Sequence, residues 1–201
     1  MAPPHPARPT GTAGNPATGA RLPCTIRPAC LADAPHLPAL ERDAAQAFAS
    51  IPELAWLAGG DVLPLAEHTA SITAQACWVA TSAAGPLLGF VTAHPYGQDL
   101  HIQEMSVTRA AQGQGLGRRL LHAVCTAAQK RGLQRVTLTT FVNVPWNAPF
   151  YASAGFCHVP DAALDARLAS ILADEHATGL AAIPRCAMQY AVPAAAECVS
   201  K

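Results

Sequence analysis

The sequence is poor in charge and in aromatic rings. Only 13% of its residues are charged and 5% aromatic, and its 13 basic residues are balanced by 13 acidic ones. Such a chain has no electrostatic footprint for nucleic acid or an anionic membrane. It lacks any run of 18 apolar residues, which argues against a spanning helix. Its 7 cysteines include no CxxC pair and no Cys/His metal spacing, so reduced structural thiols of a cytoplasmic protein are expected. Met1 to Pro23 contains no acidic residue but 6 of the 18 prolines. Those prolines interrupt the apolar stretch of a signal peptide and spoil an amphipathic transit helix, which only Arg8 and Arg21 favour. Residues 1–23 therefore read as a disordered arm, 24–193 as one domain and 194–201 as a flexible tail.

Within the domain, Cys24 to Pro28 reads as a short strand stopped by proline. Two helical stretches follow, about Ala32 to Ala49 and Leu63 to Ala76, divided by Pro52 and Gly59-Gly60. Trp78 to Thr81, Leu87 to Ala93 and Leu100 to Val107 read as an antiparallel meander, with turns at Gly85-Pro86 and Pro95-Tyr96-Gly97. Then the period changes. Leu116, Leu120, Val124, Ala127 and Ala128 recur at helical spacing until Gly132, and Arg135 to Thr140 is a β-branched strand. Strand, crossover helix and strand predict a right-handed parallel βαβ unit. Trp146 to Ala154 reads as a short helix ended by Gly155 and followed by a strand, Phe156 to Val159. Asp161 is positioned to cap a helix bearing Leu164, Leu168, Ile171 and Leu172, and Cys186 to Val192 closes the order as a strand. The class is α+β, with a mixed sheet.

The most informative stretch is Gln112-Gly113-Gln114-Gly115-Leu116-Gly117-Arg118, between a strand and a helix. Three alternate glycines remove the Cβ atoms that keep a ligand from the backbone, and a helix start favours negative charge. This is the chemistry of a phosphate or pyrophosphate site. A Rossmann fingerprint needs GxGxxG and a later acidic residue, and a Walker loop needs Gly-Lys followed by Ser or Thr; both are absent.

The loop resembles that of the GNAT acetyltransferase superfamily, Gln/Arg-x-x-Gly-x-Gly/Ala, through Gln112, Gly115 and Gly117. The likeness extends to Glu104-Met105-Ser106-Val107 before the loop, and to Asn147, Tyr151 and Gly155-Phe156 after it. Where many members have proline two residues after that valine, this chain has Arg109. The resemblance implies a mostly antiparallel sheet with a splayed central parallel strand pair and flanking helices. It implies acetyl-CoA as acetyl donor: pantetheine beside Met105 and Val107, pyrophosphate on the backbone of Gln112, Gly113, Gln114, Gly115, Leu116, Gly117 and Arg118, and Asn147 on the CoA arm. No metal is expected.

Tyr151, beside the sulfur by the same resemblance, is the expected proton donor to the leaving thiolate. An amine acceptor is mostly protonated at neutral pH, so a base is required. Glu104, a carboxylate among Leu100, Ile102, Met105 and Val107, is the candidate, directly or through water, with His101 in reserve. Arg118 and Arg119, at a helix start that disfavours cations, suggest an anion nearby. The expected reaction is direct transfer to a primary amine of a small molecule. A protein or peptide acetyltransferase and a non-catalytic acyl-CoA sensor are the alternatives. No nucleic-acid or membrane partner is expected, and the chain should be a monomer or homodimer. The acceptor is expected to touch Asp43 to His68 and Asp161 to Arg185, which include Glu53, Trp56 and Asp61.

Overall fold

The structure, a computed structural model, describes residues 23–178, 180 and 183–194. The arm expected over residues 1–23 and the tail expected over 194–201 thus lie almost entirely outside the described residues.

Among the described residues, seven strands form one sheet: β1 (Cys24–Pro28), β2 (Cys77–Ser82), β3 (Leu87–Tyr96), β4 (Asp99–Val107), β5 (Arg135–Phe141), β6 (Cys157–His158) and β7 (Arg185–Ala191). Their order is β1-β2-β3-β4-β5-β7-β6, antiparallel except for β4 and β5. The meander and the crossover unit stand as the sequence predicts. Five α-helices flank the sheet: α1 (Leu37–Ala45), α2 (Leu65–Thr73), α3 (Leu116–Lys130), α4 (Ala148–Ser153) and α5 (Ala166–Ala177).

Several boundaries differ. The expected helix from Ala32 to Ala49 breaks into 3-10 turns on either side of α1, and Pro52–Gly59 forms another such turn where the sequence predicts a break. β3 runs through Pro95, which pairs with Leu100 inside the hairpin. Asp161 opens only a short 3-10 turn; the cap of α5 is Asp165, whose carboxylate accepts from the Leu168 N–H at 2.9 Å. β6 is two residues long.

One face of the sheet packs on α3. Leu116, Leu120, Leu121, Val124 and Ala128 form its buried stripe against Val91, Ala93, Leu100, Ile102, Val136 and Leu138. Gly132, in the left-handed region, ends α3, and the Leu133 N–H closes back on the Ala128 carbonyl. The other face carries α1 and α2, where Leu37, Leu40 and Ile72 cover Val79 and Phe90.

A β-bulge interrupts β4. Thr92 of β3 faces Glu104 and Ala93 faces Ile102, which leaves Gln103 as the extra residue. Side chains alternate on either side of it, so Leu100, Ile102, Met105 and Val107 all turn toward α3. Glu104 does not lie among them: it shares the opposite face with Ser106, whose hydroxyl donates to its carboxylate at 2.7 Å.

Candidate active site

β4 and β5 pair only at their beginnings, Asp99 to His101 against Arg135 to Thr137. That end is locked. Arg135 grips Asp99 through two hydrogen bonds, at 2.9 and 2.6 Å, and reaches Asp165 at 3.0 Å. Arg167 adds a bond to Asp99 at 3.1 Å. Past His101 the strands separate, and a cavity of about 360 Å³ opens between them. Its lining combines Glu104, Met105 and Val107 of β4, Leu138 to Phe141 of β5, Glu41 of α1, and Asn147 and Tyr151 at α4. The opening thus joins the two faces of the sheet.

The backbone of β4 is available along this opening. The Thr108 N–H donates to Leu88 of β3 at 2.9 Å, so by alternation the polar groups of Met105 and Val107 point toward the departed β5. The Val107 carbonyl is already taken by the Gln112 side-chain amide, at 3.0 Å.

The glycines of the loop divide its labour. Gly113 (φ 72°) and Gly115 (φ 81°) hold left-handed conformations, and a Cβ on either would meet open space. Gly117 serves packing instead. A Cβ there would stand 3.2 Å from the Phe150 ring, so this glycine lets α3 approach α4. Among the described residues the N–H groups of Gly113, Gln114, Gly115, Leu116, Gly117 and Arg118 donate no hydrogen bond. They precede the first bond of α3, Arg119 to the Gly115 carbonyl, and form a row of free donors at a helix start. The two arginine side chains do not join it. The Arg118 guanidinium bonds Ser153 of α4, and that of Arg119 bonds the Cys24 carbonyl of β1. Their position at the helix start is answered by protein oxygens.

Asn147 is the N-cap of α4 rather than a helical residue, and its side chain caps nothing. Its Nδ2 is buried without a partner, as is the Oε1 of Gln103, and both residues line the cavity. Tyr151 is only 8% exposed, set edge-on between Phe150 and Phe156. Burial, aided by the charge of Glu104, raises its phenol above the ordinary range, so it stays protonated.

Burial likewise raises Glu104 above the usual carboxylate range, against the Ser106 hydroxyl, which favours the charged form. Glu41 is raised by burial and by the charge of Glu104, while the Leu63 N–H, at 3.1 and 3.2 Å from its two oxygens, opposes the shift. His101 leaves the site altogether. It is buried on β4 outside the cavity lining, its Nδ1 lies 3.0 Å from the Thr137 hydroxyl, and burial lowers its pKa to about 4.

Of the acceptor regions, Phe48, Leu57, Asp61, Glu175 and Arg185 reach the cavity, while Glu53 and Trp56 do not. Two contributors escape the motif pattern. Glu41 stands four residues after Leu37, on the apolar stripe of α1, where a carboxylate signals either a buried partner or a site. Gln103 is betrayed by the three-residue step from Ile102 to Met105, which breaks the alternation of a regular strand.

The sequence pattern of the Acetyltransferase (GNAT) family matches residues 43–156. The chain belongs to that family. Its fold is shared with the ribosomal-protein-S18-alanine N-acetyltransferase of Escherichia coli, at 15% identity and TM-score 0.57, over 89% of this chain and 99% of that one. It is shared with the PaiA N-acetyltransferase of Thermoplasma acidophilum, solved with coenzyme A, at 14% identity and TM-score 0.59, over 84% and 98%. The N-acetylglutamate synthase of Neisseria gonorrhoeae, complexed with coenzyme A and N-acetyl-glutamate, is similar at 16% identity and TM-score 0.60. That likeness covers 85% of this chain, which spans 35% of the synthase.

Proposed function

We propose that the chain transfers an acetyl group from acetyl-CoA to a primary amine of a small molecule, by direct attack in a ternary complex. The observation that carries this reading is an opening through the sheet lined by a free backbone strand and an acid–base pair, with a row of free amide donors on the loop that follows Gln112 of its lining. The residues fit the donor. The N–H groups of 113–118 suit a pyrophosphate, the turned-out backbone of Met105 and Val107 suits an amide-bearing arm, and the orphaned Asn147 Nδ2 supplies a donor beside it. When bound, acetyl-CoA supplies an activated thioester.

Glu104 accepts the proton that the attacking ammonium must shed, and its raised pKa makes it a stronger base than an ordinary carboxylate. Tyr151 gives its phenolic proton to the sulfur as the C–S bond breaks and the C–N bond forms, and the second proton that the nitrogen sheds on becoming an amide restores the phenol. The two steps help one another. The negative charge of Glu104 is one cause of Tyr151's raised pKa, so protonating Glu104 makes the phenol more acidic when it is needed. His101 and the arginine side chains of the loop take no part.

Two measurements test the reading together. Calorimetry should show CoA binding to the wild-type chain and its loss in Gly115→Val, which places a branched residue in a left-handed conformation. Acetyl-CoA consumption should be stimulated by small primary amines. Stimulation only by peptides would establish a protein acetyltransferase instead, and CoA binding without any stimulation would establish a sensor.

A further inference from the structure

Resting on the acetyl-transfer reading, we propose that the acceptor carries a second ammonium group besides the amine that reacts, as in a diamine or polyamine. It is not an amino acid or a lone amine.

Charge is distributed unevenly in the cavity. Among the described residues, Glu41, Asp61, Glu104 and Glu175 line it, against the single guanidinium of Arg185. Arg185 is already committed. It holds Glu175 through hydrogen bonds of 2.7 and 2.9 Å and lies 4.5 Å over the Phe141 ring. Glu175 is therefore balanced, and Glu41, Asp61 and Glu104 have no lysine or arginine ion-pair partner among the described residues.

The histidine behind Glu41 does not balance it either. His68 is wholly buried; its Nδ1 lies 3.2 Å from the Thr92 hydroxyl, while its Nε2 faces Glu41 at 3.8 Å and makes no hydrogen bond. Burial disfavours its charged form, so the ring is a neutral backing with a spare nitrogen turned toward the carboxylate.

Donor supply agrees with the charge. Glu104 has one bond from Ser106, Glu41 shares a single backbone N–H between its two oxygens, and Gln103 Oε1 has no donor. An ammonium carries three N–H donors, and the reacting amine loses one of them to Glu104. One nitrogen cannot serve all these oxygens, whereas a second, placed between Glu41 and the exposed Asp61, can. An acceptor carboxylate would meet three carboxyl groups that no lysine or arginine pairs and, in the lining among the described residues, no uncommitted guanidinium.

Three acceptors of one chain length separate the possibilities: 1,4-diaminobutane, butylamine and 4-aminobutanoate, which end in a positive, a neutral and a negative group. With saturating acetyl-CoA, kcat/KM should favour the diamine over butylamine by about tenfold, the worth of about 1.4 kcal/mol, and 4-aminobutanoate should be poorest. Glu41→Gln, which keeps the shape that accepts the Leu63 N–H, and Asp61→Asn, on the surface, should each shrink the diamine-to-butylamine ratio. The ratio is internal to each variant, and if Glu41→Gln fails to fold, Asp61→Asn decides. Equal rates for diamine and butylamine, a preference for 4-aminobutanoate, or a ratio unmoved in both variants overturns the inference while leaving acetyl transfer standing. CoA binding with none of the three acetylated removes both.

Discussion

The two ends of the β4–β5 pair are built on opposite terms. At the beginning, Asp99, Arg135, Arg167 and Asp165 form a partly buried ion cluster, and His101 meets Thr137 in register. Nearly every polar group there has a partner. At the far end, among the described residues, Glu41, Asp61 and Glu104 lie without a lysine or arginine partner, Asn147 and Gln103 hold unpartnered atoms, and β4 and β5 run without pairing to each other. Buried polar groups normally find partners, so the second end is costly to the isolated protein and reserves its interactions for ligands. The first end is what makes the second tolerable: with the strands clamped at one end, they can stay apart at the other.

The sharpest way to break this contrast is Glu104→Gln. It should lower the rate by ~10²–10⁴ while leaving CoA affinity nearly unchanged, because the shape is kept and the proposed base is lost. Its effect on stability should have the opposite sign. A carboxyl whose pKa is raised on folding supports the fold in its neutral form, fully below the ordinary carboxylate range, and loses that support as pH rises through the raised value. The wild-type melting temperature should therefore fall from mildly acidic to neutral and alkaline pH, and Glu104→Gln should flatten that fall. A variant that melts along the wild-type pH curve would show that Glu104 carries no such burden.

Tyr151→Phe should lower the chemical step by about 10²-fold, since the proposed proton donation is lost while the ring still packs on Phe150 and Phe156. The loss should shrink with an acyl donor whose thiol is more acidic. Equal losses for both donors would make Tyr151 a packing residue.

At the locked end the effects belong to stability. Asp99→Ala strips two arginines of their shared carboxylate and should cost about 2–3 kcal/mol in denaturant unfolding. Because the splay depends on this clamp, CoA affinity should fall too, though Asp99 is remote from the cavity lining. Smallest of all, Asp165→Ala removes the cap of α5 and one bond to Arg135, about 1 kcal/mol, with acetyl transfer preserved.

The locked end is partly legible in the sequence, and the open end is legible only as chemistry. Helical spacing from Leu116 to Ala128 and the β-branched run after Arg135 suffice for the crossover unit, because local pattern and tertiary packing agree there. Glu104 stands out as a carboxylate in an apolar strand, Asn147 and Tyr151 only through the family resemblance, and all line one cavity. Asp161 and Asp165 are both acceptable caps by residue type, and packing of Leu168 against Val159 and Ala187 decides for Asp165 as the start of the helix. The insertion of β7 between β5 and β6 has no local signal, since it is a pairing between segments far apart in the chain. Glu41 stays hidden because a lone carboxylate on an apolar stripe does not say what stands opposite.

The bulge at Gln103 has a consequence in terms of parity. Leu100, Ile102, Met105 and Val107 face one side and Asp99, His101, Glu104 and Ser106 the other, so Gln103 is the one residue of β4 that belongs to neither count. Deleting it would leave every other side chain on its present face. The usual penalty of a one-residue deletion in a strand, the exchange of inside for outside, would not arise. What would change is the course of the strand, since the bulge supplies the local bend. A deletion of this kind should yield a folded protein whose β4 runs straighter and zips further along β5, gaining ladder bonds as it loses its cavity.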